Sequence, residues 1–231
     1  LEKVEFPYEA DYTGEGEILD VVKWPSTGTR SIDVDPSTGL IVDETYKSYP
    51  SSYVIKRSGY KPKELALTFD DGPDEEFTPM ILDELKRQGV PATFFVVGKN
   101  AEEFPGLVKR MVEEGHEIGS HSFTHPNLGL ASERRLELEI NATQRAIESI
   151  TGRSTILFRP PYNADAEPTD WTEVRPILKA KAMGYLTVGE LIDPEDWLLE
   201  VPQTDGGLKH RTAADIVSAT YADLPKGNVI L

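Results

Sequence analysis

The sequence has 231 residues, no cysteine and only four histidines. Without cysteine there can be no disulfides and no thiolate metal sites, so any bound metal must be held by histidine and carboxylate side chains. Long apolar runs are also missing, and no stretch approaches the roughly 20 residues that a membrane-spanning helix needs. We therefore expect no membrane insertion by this segment.

Basic residues are scarce, with 24 lysines and arginines against 40 aspartates and glutamates, which gives a formal net charge of -16. This charge argues against binding nucleic acid or an anionic membrane surface through a basic patch, and leaves neutral polymers as compatible ligands. The length suits one main domain. Because the first residue is Leu1, without a methionine or an apolar leader, we expect a processed chain or a module excised from a longer protein.

The pattern of residues changes at about position 62. Residues 1–62 are rich in Tyr, Thr, Ser, Gly and Pro and are predicted to form an extended or small β lead-in. In residues 63–231 short apolar runs alternate with amphipathic helices, which indicates βα units and a parallel sheet. Six strands are predicted, at 65–69, 92–97, 116–120, 155–158, 185–188 and from 228, where the last strand looks cut short. This periodicity fits either an open doubly wound sheet or an incomplete, irregular (β/α) barrel.

Polar residues stand at or just beyond the carboxyl ends of the predicted strands. They are Asp70 and Asp71, His121, Arg159, and Asp193 with Asp196. In a β/α barrel these ends converge on one face, where such folds place their chemistry.

Two adjacent carboxylates, Asp70 and Asp71, follow the first buried strand in the segment TFDDGP. Like charges side by side near an apolar strand raise each other's pKa unless a cation sits beside them, so a bound metal is a natural resolution. The alternative is an ordinary turn, because Asp-Gly-Pro is common turn chemistry.

Two imidazoles, His121 and His125, are four residues apart in HSFTH. This spacing predicts that both lie on one side of a helical turn, within reach of one ion; surface or core-capping histidines are the alternative. Two nitrogens and one aspartate oxygen would leave positions open for water and substrate, as in catalytic zinc sites, although iron binds the same ligand set. His116 and His210 are interpreted as structural or solvated.

Two further segments follow predicted strands. In RPPY, prolines stiffen the loop behind Arg159, whose guanidinium is expected to orient Asp70, or else to form a purely structural ion pair. In DPEDW, carboxylates stand beside Trp197, an aromatic wall suited to stacking on a sugar ring or an acetyl methyl group.

Taken in order, TFDDGP, HSFTH, RPPY and DPEDW resemble the first four motifs of the NodB-homology polysaccharide deacetylases, carbohydrate esterase family 4. The resemblance spans roughly residues 65–231. It implies a distorted, incomplete (β/α) barrel and a hydrolase that removes N-acetyl groups from an amino-sugar polysaccharide such as a chitin-like chain, peptidoglycan or an exopolysaccharide.

The resemblance also implies a role for each matching residue. Asp71, His121 and His125 would bind one divalent metal, most simply zinc, with cobalt, nickel or manganese as alternatives. Asp70 would be the general base, and Arg159 would orient it. The other implied roles are oxyanion stabilisation by the backbone N–H of Tyr162, an acetyl-pocket wall by Trp197, and orientation of a proton-donating histidine by Asp196.

The sequence departs from the family pattern at a fifth motif of the type Leu-x-His, which is not found before Leu231. His210 is not a substitute, because it is predicted to precede a helix rather than to end a strand. If nothing followed Leu231, metal binding should survive while turnover fell by roughly 100-fold or more.

Two other functions remain open at this stage. An O-acetyl xylan esterase would use the same site, and a degenerate domain would bind glycan without turnover. The lead-in also resembles what precedes this domain in large bacterial proteins fused to glycosyl hydrolase and glycosyltransferase modules, which favours an extracytoplasmic or cell-surface location.

Overall fold

The computed structural model describes the backbone of residues 2–8, 19–20, 28–35, 40–41, 54–55, 57–58 and 171. It describes both backbone and side chains of residues 65–162, 172–202, 207–225 and 229–231. Most of the predicted lead-in, and its boundary between residues 62 and 63, lie outside these ranges.

The described backbone contains strands and helices in the following order. The strands are β1 (Glu2–Tyr8), β2 (Leu19–Asp20), β3 (Gly28–Asp35), β4 (Leu40–Ile41), β5 (Val54–Ile55), β6 (Arg57–Ser58), β7 (Ala66–Phe69), β8 (Thr93–Val96), β9 (Glu117–Ser120), β10 (Leu157–Phe158), β11 (Leu186–Val188), β12 (Glu200–Pro202), β13 (Leu208–His210) and β14 (Val229–Ile230). The helices are α1 (Phe77–Gln88), α2 (Gly98–Glu103), α3 (Pro105–Glu113), α4 (Glu133–Thr151), α5 (Trp171–Ala182) and α6 (Ala213–Asp223). None of the described helices is both long and apolar enough to cross a bilayer.

The main sheet is parallel and has the order β14-β7-β8-β9-β10-β11-β5. Six of its strands are those predicted from the sequence, and the seventh, β5, comes from the lead-in. The segment after β11 also bonds to β14, through a parallel bridge between Ile192 and Ile230 and a 3.0 Å hydrogen bond from Leu231 N to Ile192 O. The strand β14 is therefore bonded on both sides, and the sheet curls round on itself. This confirms the distorted (β/α) barrel and excludes the open doubly wound sheet.

The helices cover the outer face of the sheet. On that face, Phe94, Val96 and Ile118 pack against apolar residues of α1, α3 and α4, namely Leu82, Leu85, Val108, Met111 and Ile147. Complete burial of each such side chain stabilises the fold by roughly 1.5–3 kcal/mol. The alternation along each strand then leaves the neighbouring residues to line the inside of the barrel.

The ends of the helices follow the predicted signals. Ser132 precedes α4 and its hydroxyl accepts the Arg135 N–H at 3.2 Å, while Gly152 follows the helix with a φ of 71°. Thr212 precedes α6 and forms a capping box with Asp215. These caps satisfy backbone groups that a helix end leaves without partners.

Three elements after the lead-in were not predicted. The short helix α2 directly follows β8, and β12 pairs with β13 as a small antiparallel ribbon. His210 therefore does end a strand, contrary to prediction, although it also precedes α6 as predicted. The strand that it ends is exposed and belongs to the ribbon rather than to the barrel, so the inference that it does not match the family histidine is unaffected.

Candidate metal centre and catalytic site

The turn after β7 separates the two adjacent carboxylates. Gly72 N donates to Asp70 O at 2.8 Å, and Asp71 lies at the centre of this turn with a φ of 67°. Asn100, on α2, donates its amide to Asp71 O at 2.8 Å. A left-handed backbone is uncommon for a residue other than glycine, and aspartate is among the types that tolerate it. The turn leaves the Asp70 side chain 12% exposed and that of Asp71 69% exposed.

His121 enters the site from the end of β9. Its backbone N–H donates to Val96 O at 2.9 Å, and its Nδ1 lies 2.8 Å from Arg159 O. Because a carbonyl oxygen can only accept, Nδ1 must carry the proton, and in the neutral ring Nε2 then has a free lone pair. A backbone carbonyl is thus fixing the tautomer that a metal ligand requires.

His125 reaches the same point through a loop rather than a helical turn. Ser122 and His125 have φ values of 65° and 56°, and His125 N donates to Ser122 Oγ at 3.1 Å. The prediction that a helical turn aligns the two imidazoles is therefore wrong, although they do converge, with ring centroids 5.0 Å apart.

The three predicted ligand residues meet at one carboxylate oxygen. Asp71 Oδ1 lies 3.3 Å from His121 Nε2 and 3.0 Å from His125 Nε2. Among the residues that the structure describes, Asp71, His121 and His125 form the one group whose donor atoms lie close enough, within 4.8 Å of one another, to hold a metal ion. The neighbouring imidazoles of His121 and His125 lower the pKa of Asp71, and the hydrogen bond to Asp71 raises the pKa of His125.

This donor set fits a divalent cation. The Arg159 carbonyl leaves His121 Nε2 as an acceptor, and that atom faces the acceptor oxygen of Asp71. Two acceptors at this distance repel unless a proton or a cation lies between them. Two imidazoles and one carboxylate form a ligand set of the kind that keeps further positions open at catalytic zinc.

Asp70 lies beside this group and is held by a buried arginine. Arg159 Nη1 donates to Asp70 Oδ1 at 2.8 Å and to Thr68 Oγ1 at 2.8 Å, and its Nε donates to Val188 O at 3.0 Å. The Arg159 side chain is 0% exposed, and it lies over the Phe95 ring at 4.3 Å. The other oxygen of the carboxylate, Asp70 Oδ2, faces His121 Nε2 at 3.8 Å.

The remaining predicted residues lie at the exposed rim. Tyr162 is exposed, and its ring centroid lies 4.8 Å from that of His125 with the two rings tilted by 59°. Asp196 and Trp197 are also exposed. Among the described residues, no hydrogen bond joins either of them to the metal-binding group. The backbone of their loop is held instead by Arg211, whose guanidinium donates to the carbonyls of Pro194 and Glu195.

Three residues that contact the site were missed from the sequence, namely Thr68, Asn100 and Glu139. Asn100 lies on the unpredicted helix α2 and so had no assigned position. Glu139 did leave a signal, because it occupies an inward position of α4 between the buried Leu136 and Thr143. Burying a carboxylate is costly unless it is hydrogen-bonded or paired with a cation, so its position on the buried face of α4 predicts such partners.

The comparisons with known proteins identify the family of this chain. The polysaccharide deacetylase family model matches residues 57–186. The chain belongs to the polysaccharide deacetylase family. Membership of this family is thus as the sequence predicted.

Individual relatives include two enzymes named as deacetylases. A peptidoglycan-N-acetylglucosamine deacetylase of Bacillus cereus is 41% identical over 152 residues, which cover 65% of this chain and 52% of that protein. A chitooligosaccharide deacetylase of Sinorhizobium fredii is 36% identical over 178 residues, which cover 77% of this chain and 74% of that protein. The match thus spans about half the length of the B. cereus relative.

A solved structure shows the same fold. The crystal structure of the Bc1960 peptidoglycan N-acetylglucosamine deacetylase superposes with a TM-score of 0.65 at 35% identity, and the match covers 78% of this chain and 75% of that one.

Proposed function

We propose that this chain removes N-acetyl groups from an amino-sugar polysaccharide, using a divalent cation held by Asp71, His121 and His125. The observation that carries the proposal is the convergence of these three donor groups beside Asp70, a carboxylate that a buried arginine already holds. The relatives named as peptidoglycan-N-acetylglucosamine and chitooligosaccharide deacetylases support the substrate class. Such polymers lie at the cell surface, so the proposal includes an extracytoplasmic location.

A cation at this site would act as a Lewis acid toward the carbonyl of the acetamide group. Asp70 takes the proton of the attacking water, because its Oδ2 faces the ligand group while Arg159 occupies its Oδ1. The guanidinium orients this carboxylate through the charge-assisted hydrogen bond to its Oδ1. The Arg159 carbonyl holds His121 in the tautomer that leaves Nε2 free.

The exposed rim binds the substrate. The backbone N–H of Tyr162 is proposed to donate to the oxygen on which negative charge develops. Trp197 supplies an aromatic face for a sugar ring or the acetyl methyl group. Asp196 is proposed to orient the group that protonates the leaving amine, because an amide cannot be cleaved readily without that proton.

Acetate release tests the reaction class. The wild-type chain and the Asp70→Asn variant are compared on chitin oligomers, peptidoglycan and acetylxylan. We expect release from an amino-sugar polymer and a loss of at least about 100-fold in Asp70→Asn, the usual contribution of a positioned base. Release from acetylxylan alone would favour the O-acetyl esterase. Equal activity of wild type and Asp70→Asn would exclude the base role, and Asp83→Asn, at an exposed position of α1, is the matched control.

Metal content tests the ligand set. Wild type and Asp70→Asn should each bind about one zinc-like ion per chain, whereas His121→Ala should bind none, because it loses one of three ligands. His210→Ala removes an exposed histidine and should keep the ion. Unchanged metal in His121→Ala would refute the assignment of that ligand. Metal binding without acetate release from any polymer would favour the glycan-binding domain.

A further inference from the structure

The loop between the two histidine ligands is held by a carboxylate of α4. Glu139 Oε2 accepts the backbone N–H groups of Phe123 at 2.8 Å and Thr124 at 2.7 Å. Its other oxygen, Oε1, accepts the Thr124 hydroxyl at 2.7 Å and Arg135 Nε at 2.7 Å. The Glu139 side chain is 3% exposed. The carboxylate that accepts these four hydrogen bonds is therefore largely shielded from water.

The opposite side of the loop is held by the start of α2. Gly98 N donates to Ser122 O and Lys99 N to Phe123 O, both at 2.9 Å. A Cβ atom on Gly98 would come within 2.4 Å of the Phe123 ring, so a side chain at this position would push the loop away. The loop is thus fixed between two helices, by its carbonyl groups on one side and its N–H groups on the other.

The loop needs such support because its backbone is strained. Ser122 and His125 both have positive φ values, which cost of order 1–3 kcal/mol each and persist only where the surroundings enforce them. Burial raises the pKa of Glu139, but hydrogen bonds from Thr124, Arg135 and Phe123 outweigh this, so the pKa lies below its usual value. Glu139 is therefore a charged acceptor at neutral pH, and charged acceptors form the stronger hydrogen bonds.

We propose that Glu139 is a positioning residue for metal binding, which fixes the separation of His121 and His125 before the cation arrives. This inference rests on the proposed function, because it assumes that the two histidines are ligands. A glutamate that only stabilised α4 would affect unfolding of the chain but would leave its affinity for metal unchanged.

The test is zinc titration of the metal-free chain, with Glu139→Gln beside Glu137→Gln. Glutamine has the shape of glutamate, but its NH₂ group would have to face an N–H or guanidinium donor in place of an oxygen. Glu137 lies on the same helix and pairs with Lys179, so its variant loses the same charge away from the loop.

We expect Glu139→Gln to weaken zinc binding by about 10-fold or more, the usual effect of losing an outer-shell partner, with Glu137→Gln unchanged. Wild-type affinity in Glu139→Gln would overturn the inference. Equal weakening in both variants would also overturn it, because the effect would then follow from charge alone. If the wild-type chain bound no zinc, the proposed function itself would fail.

If Glu139→Gln does not fold, hydrogen exchange of the wild-type chain tests whether the histidine loop is held before metal binds. In the metal-free wild-type chain, the amides of Phe123 and Thr124 should exchange slowly, at rates like those of the adjoining sheet. Exchange as fast as in exposed loops would show that the carboxylate does not hold the loop before metal binds, and would overturn the inference.

Discussion

The carboxyl ends of β7, β9 and β10 are held differently from the loop over residues 193–197, which we propose to bind the substrate. At the strand ends Asp70, His121 and Arg159 are nearly buried, and hydrogen bonds fix each side chain. In the loop Asp196 and Trp197 are exposed, and the contacts from Arg211 fix backbone carbonyls rather than side chains. We infer that the groups proposed for the chemistry are preorganised, whereas the surface that meets the polymer can adjust.

The largest expected effect is that of Arg159→Met. Removing the guanidinium leaves the Asp70 carboxylate without its partner inside the barrel, which should lower the free energy of unfolding by about 3–5 kcal/mol. Urea denaturation of the metal-free chain measures it. If the free energy of unfolding fell by less than about 1 kcal/mol, the buried ion pair would contribute no more than an exposed one, and the contrast between the strand ends and the loop would fail.

Next in size is Gly98→Ala at the start of α2. The added methyl group collides with Phe123, which should cost about 1–3 kcal/mol and disturb the histidine loop. Gly106→Ala is the matched control, because nothing lies within 4 Å of its Cβ and alanine favours the helix α3. Thermal unfolding of both variants provides the measurement, and equal stability of the two would contradict the tight packing of the loop.

His116 lies at the opposite end of β9 and gives a smaller, pH-dependent effect. Burial lowers its pKa below the ordinary value of 6.5, so the unfolded chain takes up the proton more readily than the folded one. The free energy of unfolding should therefore fall, by about 1 kcal/mol or less, as the pH drops from about 7.5 through 6.5 toward the folded-state pKa. His116→Asn should remove this part of the slope in metal-free chain, and His210→Asn, at an exposed position, should keep it. If the free energy of unfolding changed equally with pH in His116→Asn and wild type, His116 would not be the source of this pH dependence.

The smallest effect on stability is expected for Trp197→Ala. Because this side chain is 69% exposed, its loss should change the free energy of unfolding by no more than about 0.5 kcal/mol. Under the proposed function KM for an oligosaccharide should rise several-fold as stacking is lost. Enzyme kinetics measures KM and urea denaturation measures the free energy of unfolding. A destabilisation above about 1.5 kcal/mol would show that the loop is as firmly packed as the strand ends.

The positions of the strands and of the polar residues at their ends could be predicted because both are local properties of the sequence. Apolar runs locate buried strands, and in a parallel barrel the residues that follow them must meet at one face. Asp70, Asp71, His121 and Arg159 come together for this reason. The glycine and serine signals that end or begin helices are local in the same way.

Other features depend on contacts between distant segments. The helix α2 has only six residues, too few for an apolar periodicity to predict it. Its support of the histidine loop comes from hydrogen bonds to residues that are distant in the sequence. The partners of Thr68, which are Ile230 O and Arg159, lie 162 and 91 residues away along the chain. Closure of the barrel likewise depends on contacts of Ile192 with Ile230 and Leu231, about 40 residues further along the chain. No window of sequence contains such pairs.

Arg159 serves both halves of the proposed chemistry with different atoms, since its guanidinium holds Asp70 and its carbonyl holds His121. The offset between Asp70 and the proposed metal ligand His121 is thereby tied to the internal geometry of one amino acid. A small tilt of β10 would carry both groups along together, so their mutual alignment should tolerate thermal motion better than if separate strands had set it. A substitution at position 159 removes the guanidinium that holds Asp70 but keeps the backbone carbonyl that holds His121. Such variants therefore offer a way to separate the proposed proton transfer from the proposed cation binding.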